Sequence, residues 1–96
     1  MEYEEMIKKY EEIMKKYEET DKHRIQEILI GLEFGLTEDQ IQVYVKPEFD
    51  WSQMIEIRQG LQHGLTKDQI SLYAVSDLNE DQMYYMRIGI EVKNIE

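Results

Sequence analysis

A short acidic segment, Asp-Leu-Asn-Glu-Asp from Asp77 onwards, comes nearest to a ligand-binding motif in this sequence. Its alternating Asp, Asn and Asp match the first three ligand positions of a calcium loop. Such a loop requires glycine at its sixth position and a bidentate glutamate at its twelfth, where this chain has Gln82 and Ile88. We therefore interpret Asn79 as a helix N-cap and expect neither a metal nor any other cofactor.

Nucleophiles and acid–base groups are few and lack the neighbours that catalysis needs. The chain has no cysteine, and its two histidines, His23 and His63, fall outside any metal-ligating spacing. No serine lies in a Gly-x-Ser-x-Gly turn. The glycine-containing segments are typical of helix ends, whereas a phosphate-binding loop precedes a helix. These patterns predict a protein without enzymatic activity.

The composition indicates one small acidic domain. The 96 residues are 42% hydrophobic, enough for a single core, and 21 acidic against 11 basic residues give a formal charge of −10. This charge argues against direct nucleic-acid binding, which requires a basic face. No apolar run approaches the length of a membrane span, and the acidic N-terminal segment differs from a signal peptide. We expect a cytoplasmic protein without membrane contact.

A 29-residue internal repeat organises the chain. Residues 31–44, GLEFGLTEDQIQVY, and residues 60–73, GLQHGLTKDQISLY, are identical at nine of 14 positions. We predict one domain over 1–96, comprising an N-terminal helix (1–20), repeat 1 (21–49), repeat 2 (50–78) and a half repeat (79–96).

Each repeat is predicted to form a long helix followed by a short one. Asp50 and Thr37 begin capping boxes, and Gly35 suits a left-handed helix end. Gly31, Gly60 and Gly89, inside the long helices, indicate the close approach of neighbouring helices. The predicted fold is all-α, with tandem helical hairpins packed against an amphipathic N-terminal helix. The predicted helices cover 2–19, 22–34, 38–45, 51–63, 67–75 and 80–92. The predicted core comprises Ile25, Ile28, Leu32, Leu36, Ile41, Tyr44, Phe49, Trp51, Met54, Ile57, Leu61, Leu65, Ile70, Tyr73, Met83 and Met86.

The N-terminal helix has a seven-residue repeat of its own. Tyr3, Tyr10 and Tyr17 share one heptad position and form part of a continuous apolar stripe. We expect this stripe to dock on the repeats and cap their apolar end. The alternative is a tyrosine-rich homodimer seam. Trp51, at the first position of its helix, is either a core residue or a separate interface anchor.

The string GLxxGLTxDQIxxY, followed by KPEFDWxQMxEIRxGL at 46–61, resembles a helical repeat of uncharacterised proteins from gut Firmicutes and their mobile elements. The resemblance covers about residues 24–90 and leaves out the N-terminal helix. It implies a unit that occurs in longer tandem arrays. It also implies a mobile-element setting, where small acidic proteins are often inhibitors of host defence, but it assigns no activity and no functional residue.

The acidic charge without a catalytic motif favours a protein-interaction function. We expect a stiff negative scaffold that occupies the basic groove of a nucleic-acid-handling defence protein, such as a CRISPR effector or another nuclease. It would act as a stoichiometric anti-CRISPR or anti-restriction inhibitor that mimics nucleic acid. The alternative is a helical-repeat adaptor or homo-oligomerisation module. The carboxylates predicted to contact the partner are Glu4, Glu5, Glu11, Glu12, Glu18, Glu19, Glu38 and Asp39.

Overall fold

A computed structural model describes residues 2–95, so the two ends of the predicted domain, Met1 and Glu96, lie outside the described residues. The described chain forms six α-helices and no strand, which confirms the all-α class. None of the helices in this range combines the length and apolar character needed to cross a membrane. The helices are α1 (Tyr3–Tyr17), α2 (Lys22–Phe34), α3 (Glu38–Tyr44), α4 (Trp51–Gln62), α5 (Lys67–Ser71) and α6 (Glu80–Ile95).

Helix α4 is the centre of the molecule. It packs against α2 and α6, while α1 packs against α2, so the order of neighbouring long helices is α1, α2, α4, α6. The short helix α3 contacts both α2 and α4, and α5 contacts α4. This arrangement extends 44 Å in its longest direction and 26 and 20 Å in the other two.

Side-chain caps fix where the helices begin, as the sequence predicts. The Thr37 hydroxyl accepts a hydrogen bond from the Gln40 backbone N–H at 3.2 Å, and Gln40 Oε1 accepts one from the Thr37 N–H at 2.9 Å. Asp50 and Gln53 form the same reciprocal pair at the start of α4. These bonds satisfy backbone donors that have no partner within the helix.

Three predicted helix ends are wrong by two residues or more, and those of α3 and α4 by one. Helix α1 ends at Tyr17, not at residue 19, because Glu18 has a left-handed conformation with a φ of 51°. Helix α5 ends at Ser71, not at residue 75, because the Leu72 and Tyr73 N–H groups bond three residues back and tighten the chain into a turn. Helix α6 runs to Ile95, beyond the predicted residue 92. Gly35 ends α2 with a φ of 104°, but Lys93 occupies the corresponding place in α6, so no such left-handed residue interrupts the helix.

The core follows the repeated apolar positions, with two corrections. Trp51 and Met86 were predicted to be buried but are 41% and 39% exposed. Trp51 is the first residue of α4, where it stacks on the exposed ring of His23 with 5.0 Å between centroids. Met86 lies on α6, against which fewer elements pack than against α4. Leu32 is partly buried, and the other predicted core residues are buried: Ile25, Ile28, Leu36, Ile41, Tyr44, Phe49, Met54, Ile57, Leu61, Leu65, Ile70, Tyr73 and Met83.

A buried tyrosine joins each short helix to the long helix before it. The Tyr44 hydroxyl of α3 donates to the Glu27 carbonyl of α2 at 2.8 Å. A Cβ atom placed on Gly31 would lie 2.3 Å from that hydroxyl oxygen, so only glycine leaves room for it. The close approach predicted at the repeated glycines is thus confirmed at Gly31 and Gly60, where the approaching group is a tyrosine hydroxyl. It is wrong at Gly89, where no described residue lies within 4 Å of a Cβ at that position.

Two ion pairs join consecutive long helices. Arg58 of α4 donates to the Glu27 carboxylate of α2 at 2.8 Å, and both side chains are about nine-tenths buried. Arg87 of α6 contacts the Glu56 carboxylate of α4 at 3.3 Å, 29 residues further along. Desolvation by itself lowers the pKa of Arg87, but the carboxylates of Glu91 and Glu56 outweigh it and raise that pKa. The guanidinium therefore stays charged between the two helices.

Candidate functional site

An open acidic groove lies beside the starts of α2 and α4. It has a volume of about 770 Å³ and is open to solvent. Four carboxylates lie around it, from Glu18, Glu19, Glu48 and Asp50, against the single cation of Arg24. The groove therefore presents a net negative potential to any molecule that enters it. Its remaining lining residues are Tyr17, Val45, Pro47, Phe49, Gln53 and Ser76.

The one cation in the groove is occupied by intramolecular partners. The Arg24 guanidinium forms an ion pair with Glu19, and each side chain is only 15% exposed. It also donates to the backbone carbonyls of Phe49 and Lys46. Arg24 thereby holds the loop after α3 against the start of α2. The carboxylates of Glu18, Glu48 and Asp50 remain on exposed residues around it.

Helix caps contribute to the acidity of the same edge. Asp21 accepts hydrogen bonds from the Arg24 and His23 N–H groups at 3.1 and 2.8 Å, and these bonds hold the pKa of its carboxyl below the ordinary value. Asp50 accepts one from the Gln53 N–H at 2.9 Å. Each carboxylate also lies at the positive end of a helix dipole. Asp21 and Asp50 are thus both needed as helix caps, and both are exposed to solvent.

The carboxylates predicted on α1 do not converge on the groove. Glu4, Glu5, Glu11 and Glu12 are exposed along α1, where lysines alternate with them. Glu18 and Glu19, at the end of α1, do line the groove. The structure therefore divides the predicted acidic set between a solvated helix face and one concave surface.

Glu38 is an exposed residue whose carboxylate is bound by other side chains of the chain. Its two carboxylate oxygens accept hydrogen bonds from Lys16 and Tyr17, both at 2.7 Å. These donors hold the pKa of Glu38 below its ordinary value. Burial, reinforced by the Glu38 carboxylate, raises the pKa of the Tyr17 hydroxyl, so that hydroxyl remains a donor at neutral pH. Asp39 next to it is exposed, with Oδ2 3.9 Å from Lys67 Nζ.

The predicted apolar stripe of α1 divides into a docked part and an exposed part. Tyr10 and Tyr17 pack against the core, and the Tyr10 hydroxyl donates to Gln26 at 3.1 Å. Tyr3 is 73% exposed and, with Met6 and Ile7, lines a shallow apolar depression of about 360 Å³. The first two turns of α1 therefore present an uncovered apolar surface, which we call the α1 strip.

Neither His23 nor His63 lies in a cluster of metal-ligating side chains among the described residues. His63 at the end of α4 contacts the Glu91 carboxylate at 2.7 Å, and His23 stacks on Trp51. Within residues 2–95, no group of three or more His, Asp or Glu side chains is placed to hold a metal ion.

Sequence reasoning missed Glu48 and Asp50 as members of the acidic groove. A signal was present, since Glu19, Glu48 and Asp77 recur at the 29-residue offset. Residues that recur at one point of a repeat fall on one edge of a stack. Comparison of the chain with protein-family models, with curated proteins and with solved structures finds no match.

Proposed function

We propose that this chain is a non-catalytic interaction module, built from tandem helical hairpins, that binds a basic protein surface through its acidic groove. The observation that carries the proposal is the placement of three exposed acidic residues, Glu18, Glu48 and Asp50, around one open concave surface. Arg24, the basic residue among those described as lining it, is already paired with Glu19. A lysine or arginine side chain of a partner would complete charge-assisted hydrogen bonds there.

The whole-molecule charge supports the same proposal. A net charge of −10 attracts basic surfaces over about one Debye length and raises the rate of encounter with them. In a bacterial cytoplasm, the grooves of nucleic-acid-handling proteins are such surfaces. We therefore propose that the chain inhibits a CRISPR effector or another nuclease by occupying its groove, so that nucleic acid is excluded without being cleaved or bound by this chain.

A competition assay with charge-matched variants tests this proposal. Purified CRISPR effectors and restriction enzymes are titrated with the chain while DNA cleavage is followed. We expect inhibition at a stoichiometric ratio with one of them, weakening steeply as salt is raised. The triple variant Glu18→Gln/Glu48→Gln/Asp50→Asn should lose most of this potency, while asparagine at position 50 preserves the helix cap.

The control triple variant is Glu4→Gln/Glu5→Gln/Glu11→Gln, which removes the same three charges from α1. If both variants lose potency equally, inhibition depends on the net charge of the chain and not on the acidic groove. If neither loses potency, the electrostatic basis of the proposal is wrong.

Homo-oligomerisation or adaptor binding is a second candidate, favoured by the α1 strip. Its residues Tyr3, Met6 and Ile7 are exposed together, and aromatic and methionine side chains are enriched in protein interfaces. Sedimentation over a range of concentrations should then show dimers that Ile7→Glu abolishes, whereas Lys8→Glu, on an adjacent exposed residue, should not. A chain that is monomeric throughout would exclude the homodimer.

A further inference from the structure

The tyrosine contact between short and long helices occurs twice in this molecule with the same geometry. Tyr44 donates to the Glu27 carbonyl beside Gly31, and Tyr73 donates to the Glu56 carbonyl beside Gly60, both at 2.8 Å. In each case the long helix supplies a glycine and the carbonyl four residues before it. The short helix supplies an isoleucine that reaches the same glycine, and the tyrosine follows three residues later. Tyr44 is the last residue of α3, whereas Tyr73 lies two residues beyond the end of α5.

Helix α6 carries the receiving half of this contact for a third time. Gly89 lies 29 residues after Gly60, and the carbonyl four residues before it belongs to Tyr85. Among the described residues, nothing lies within 4 Å of a Cβ placed on Gly89. Met86 is 39% exposed, whereas Ile57 at the equivalent position of α4 is fully buried. Glycine is unfavourable inside a helix, and no contact within residues 2–95 requires it here.

We propose that the outer face of α6, centred on Gly89, is a docking notch for a short helix of a partner protein that carries the pattern Thr-x-x-Gln-Ile-x-x-Tyr. In this complex the partner's tyrosine hydroxyl lies over Gly89 and donates to the Tyr85 carbonyl, and its isoleucine covers Met86. The proposal concerns a different surface from the acidic groove and does not depend on the function proposed for that groove.

The surroundings of the notch define which element fits. Glu27 and Glu56 each receive an arginine from the next long helix, but Tyr85 stands at the corresponding place in α6 and offers no carboxylate. The notch therefore suits a short tyrosine helix better than an arginine-bearing long helix.

The partner helix must come from a molecule with a free copy of the segment. Lys93 replaces the glycine that ends α2 and α4, so α6 continues straight past the point where a short helix would turn back. Within the described chain, Tyr44 and Tyr73 are fully buried in their own contacts. A second copy of this chain would have to break one such contact for each one it formed.

A synthetic peptide with the sequence of residues 65–78 serves as the probe. Added to the full-length ¹⁵N-labelled chain, it should shift the backbone amide signals of Tyr85, Met86 and Gly89. Replacing the peptide's tyrosine with phenylalanine should weaken binding about fivefold, the value of one hydrogen bond. Gly89→Leu should abolish binding and leave the chain folded, because the position is open.

Tethering the same segment to the C-terminus through a flexible Gly/Ser linker raises its effective concentration to about the millimolar range, so that weak docking is also detected. The tethered chain should melt at a higher temperature than its phenylalanine counterpart. The proposal fails if neither form perturbs Gly89, or if Gly89→Leu binds the peptide equally well. Self-association that Gly89→Leu abolishes, without peptide, would make a second copy the occupant and also overturn it.

Discussion

At the scale of single residues, the same amino acid has opposite roles at two equivalent positions. Gly60 is required by the Tyr73 hydroxyl, to which an added Cβ would approach within 2.1 Å. Gly89 has open space around it in the described structure. Helix propensity alone would favour alanine at both positions, since alanine stabilises a helix interior by about 1 kcal/mol relative to glycine.

Alanine substitutions at these glycines should therefore change stability with opposite signs. Gly60→Ala is expected to lower the free energy of unfolding by about 1–3 kcal/mol through overpacking. Gly89→Ala should raise it by up to about 1 kcal/mol. Urea denaturation measures both, and adding Tyr73→Phe to Gly60→Ala should restore part of the loss because the nearest clashing atom is removed. Equal effects at 60 and 89 would contradict the tyrosine contact.

Glu38 makes a contribution to stability that depends on pH. Its pKa is lowered in the folded state, so its stabilising effect is complete above the ordinary pKa of 4.5 and is lost as the pH falls through the folded value. Glu38→Gln should lower the free energy of unfolding by up to about 1 kcal/mol at pH 7. This difference from the parent chain should shrink as the pH falls through the folded pKa and vanish below it, as measured by urea denaturation at each pH.

The control for Glu38 is Glu4→Gln, which alters an exposed carboxylate of α1. Its effect on the unfolding midpoint should stay small over the whole pH range. A Glu38→Gln effect that persisted at acid pH would show that the substitution disturbs packing and that the ion pair with Lys16 is not its cause.

Sequence reasoning located the two glycines but not the tyrosines that require them. Gly31 and Gly60 are marked by their recurrence inside long helices, a place where glycine is unfavourable. Tyr44 and Tyr73 recur equally, but an aromatic residue on the apolar face of a helix is most often a core residue. Only the packing of the short helix on the long one shows that the hydroxyl, not the ring, determines the glycine.

At the scale of elements, α1 is held to the rest of the molecule by a narrow set of contacts. Ile13 is its single buried apolar residue in the described chain, at 5% exposure, and with Leu29 and Leu32 of α2 it lines a small depression between the two helices. Lys16 and Tyr17 add the hydrogen bonds to Glu38. The docking predicted from the apolar stripe is thus confirmed for the middle and end of α1, and not for its first two turns.

Substitutions at two neighbouring residues of α1 compare the contribution of a buried side chain to the free energy of unfolding with that of an exposed one. Ile13→Ala should lower the free energy of unfolding by about 2–4 kcal/mol, because it leaves a cavity against α2. Met14→Ala, at a residue that is 39% exposed, should change it by less than about 1 kcal/mol. Thermal unfolding followed by circular dichroism compares the two, and similar losses would mean that α1 is not docked as described.

The starts of helices α2 to α6 were predictable to the residue, whereas most helix ends were not. A start is fixed by a local reciprocal contact, such as that between Asp50 and Gln53, whose two residues are read directly from the sequence. The end of α5 depends on the burial of Tyr73 against α4, which is a contact between elements. The long-range pair of Glu27 and Arg58 was missed for the same reason, since their separation of 31 residues exceeds any helical spacing.

At the scale of the whole molecule, the surplus of negative charge opposes folding. Ten net charges are confined to a body 44 Å long, and at about 10 mM salt the Debye length of roughly 30 Å lets most of them repel one another. The two buried ion pairs between long helices are shielded from solvent and respond much less to salt. Added salt should therefore weaken the repulsion between the surface charges more than the attraction within these two ion pairs.

Raising sodium chloride from about 10 to about 150 mM should increase the melting temperature, since the Debye length falls to roughly 8 Å. Differential scanning calorimetry measures this directly. The triple variant Glu4→Gln/Glu5→Gln/Glu11→Gln, with three fewer negative charges, should show a smaller increase. A melting temperature that falls with salt would mean that attraction within ion pairs outweighs the net repulsion.

The acidic groove shows why a whole-molecule feature was only half predictable. Glu18 and Glu19 were identified from an acidic run within one segment. Glu48 and Asp50 reach the same groove from the loop before α4, and Arg24 positions that loop through the Phe49 and Lys46 carbonyls. Composition gives the amount of charge, but its concentration on one surface depends on how the loops are held.

The recurrence of the same contacts every 29 residues has a consequence for how such a gene can change. An in-frame loss of the segment encoding residues 50–78 would bring Arg87 opposite Glu27, the partner that Arg58 has now. A duplication of that segment would likewise provide each inserted arginine with a glutamate. Recombination between copies can therefore lengthen or shorten the molecule by whole helix-to-helix spacings of about 8–10 Å while both ends keep their neighbours.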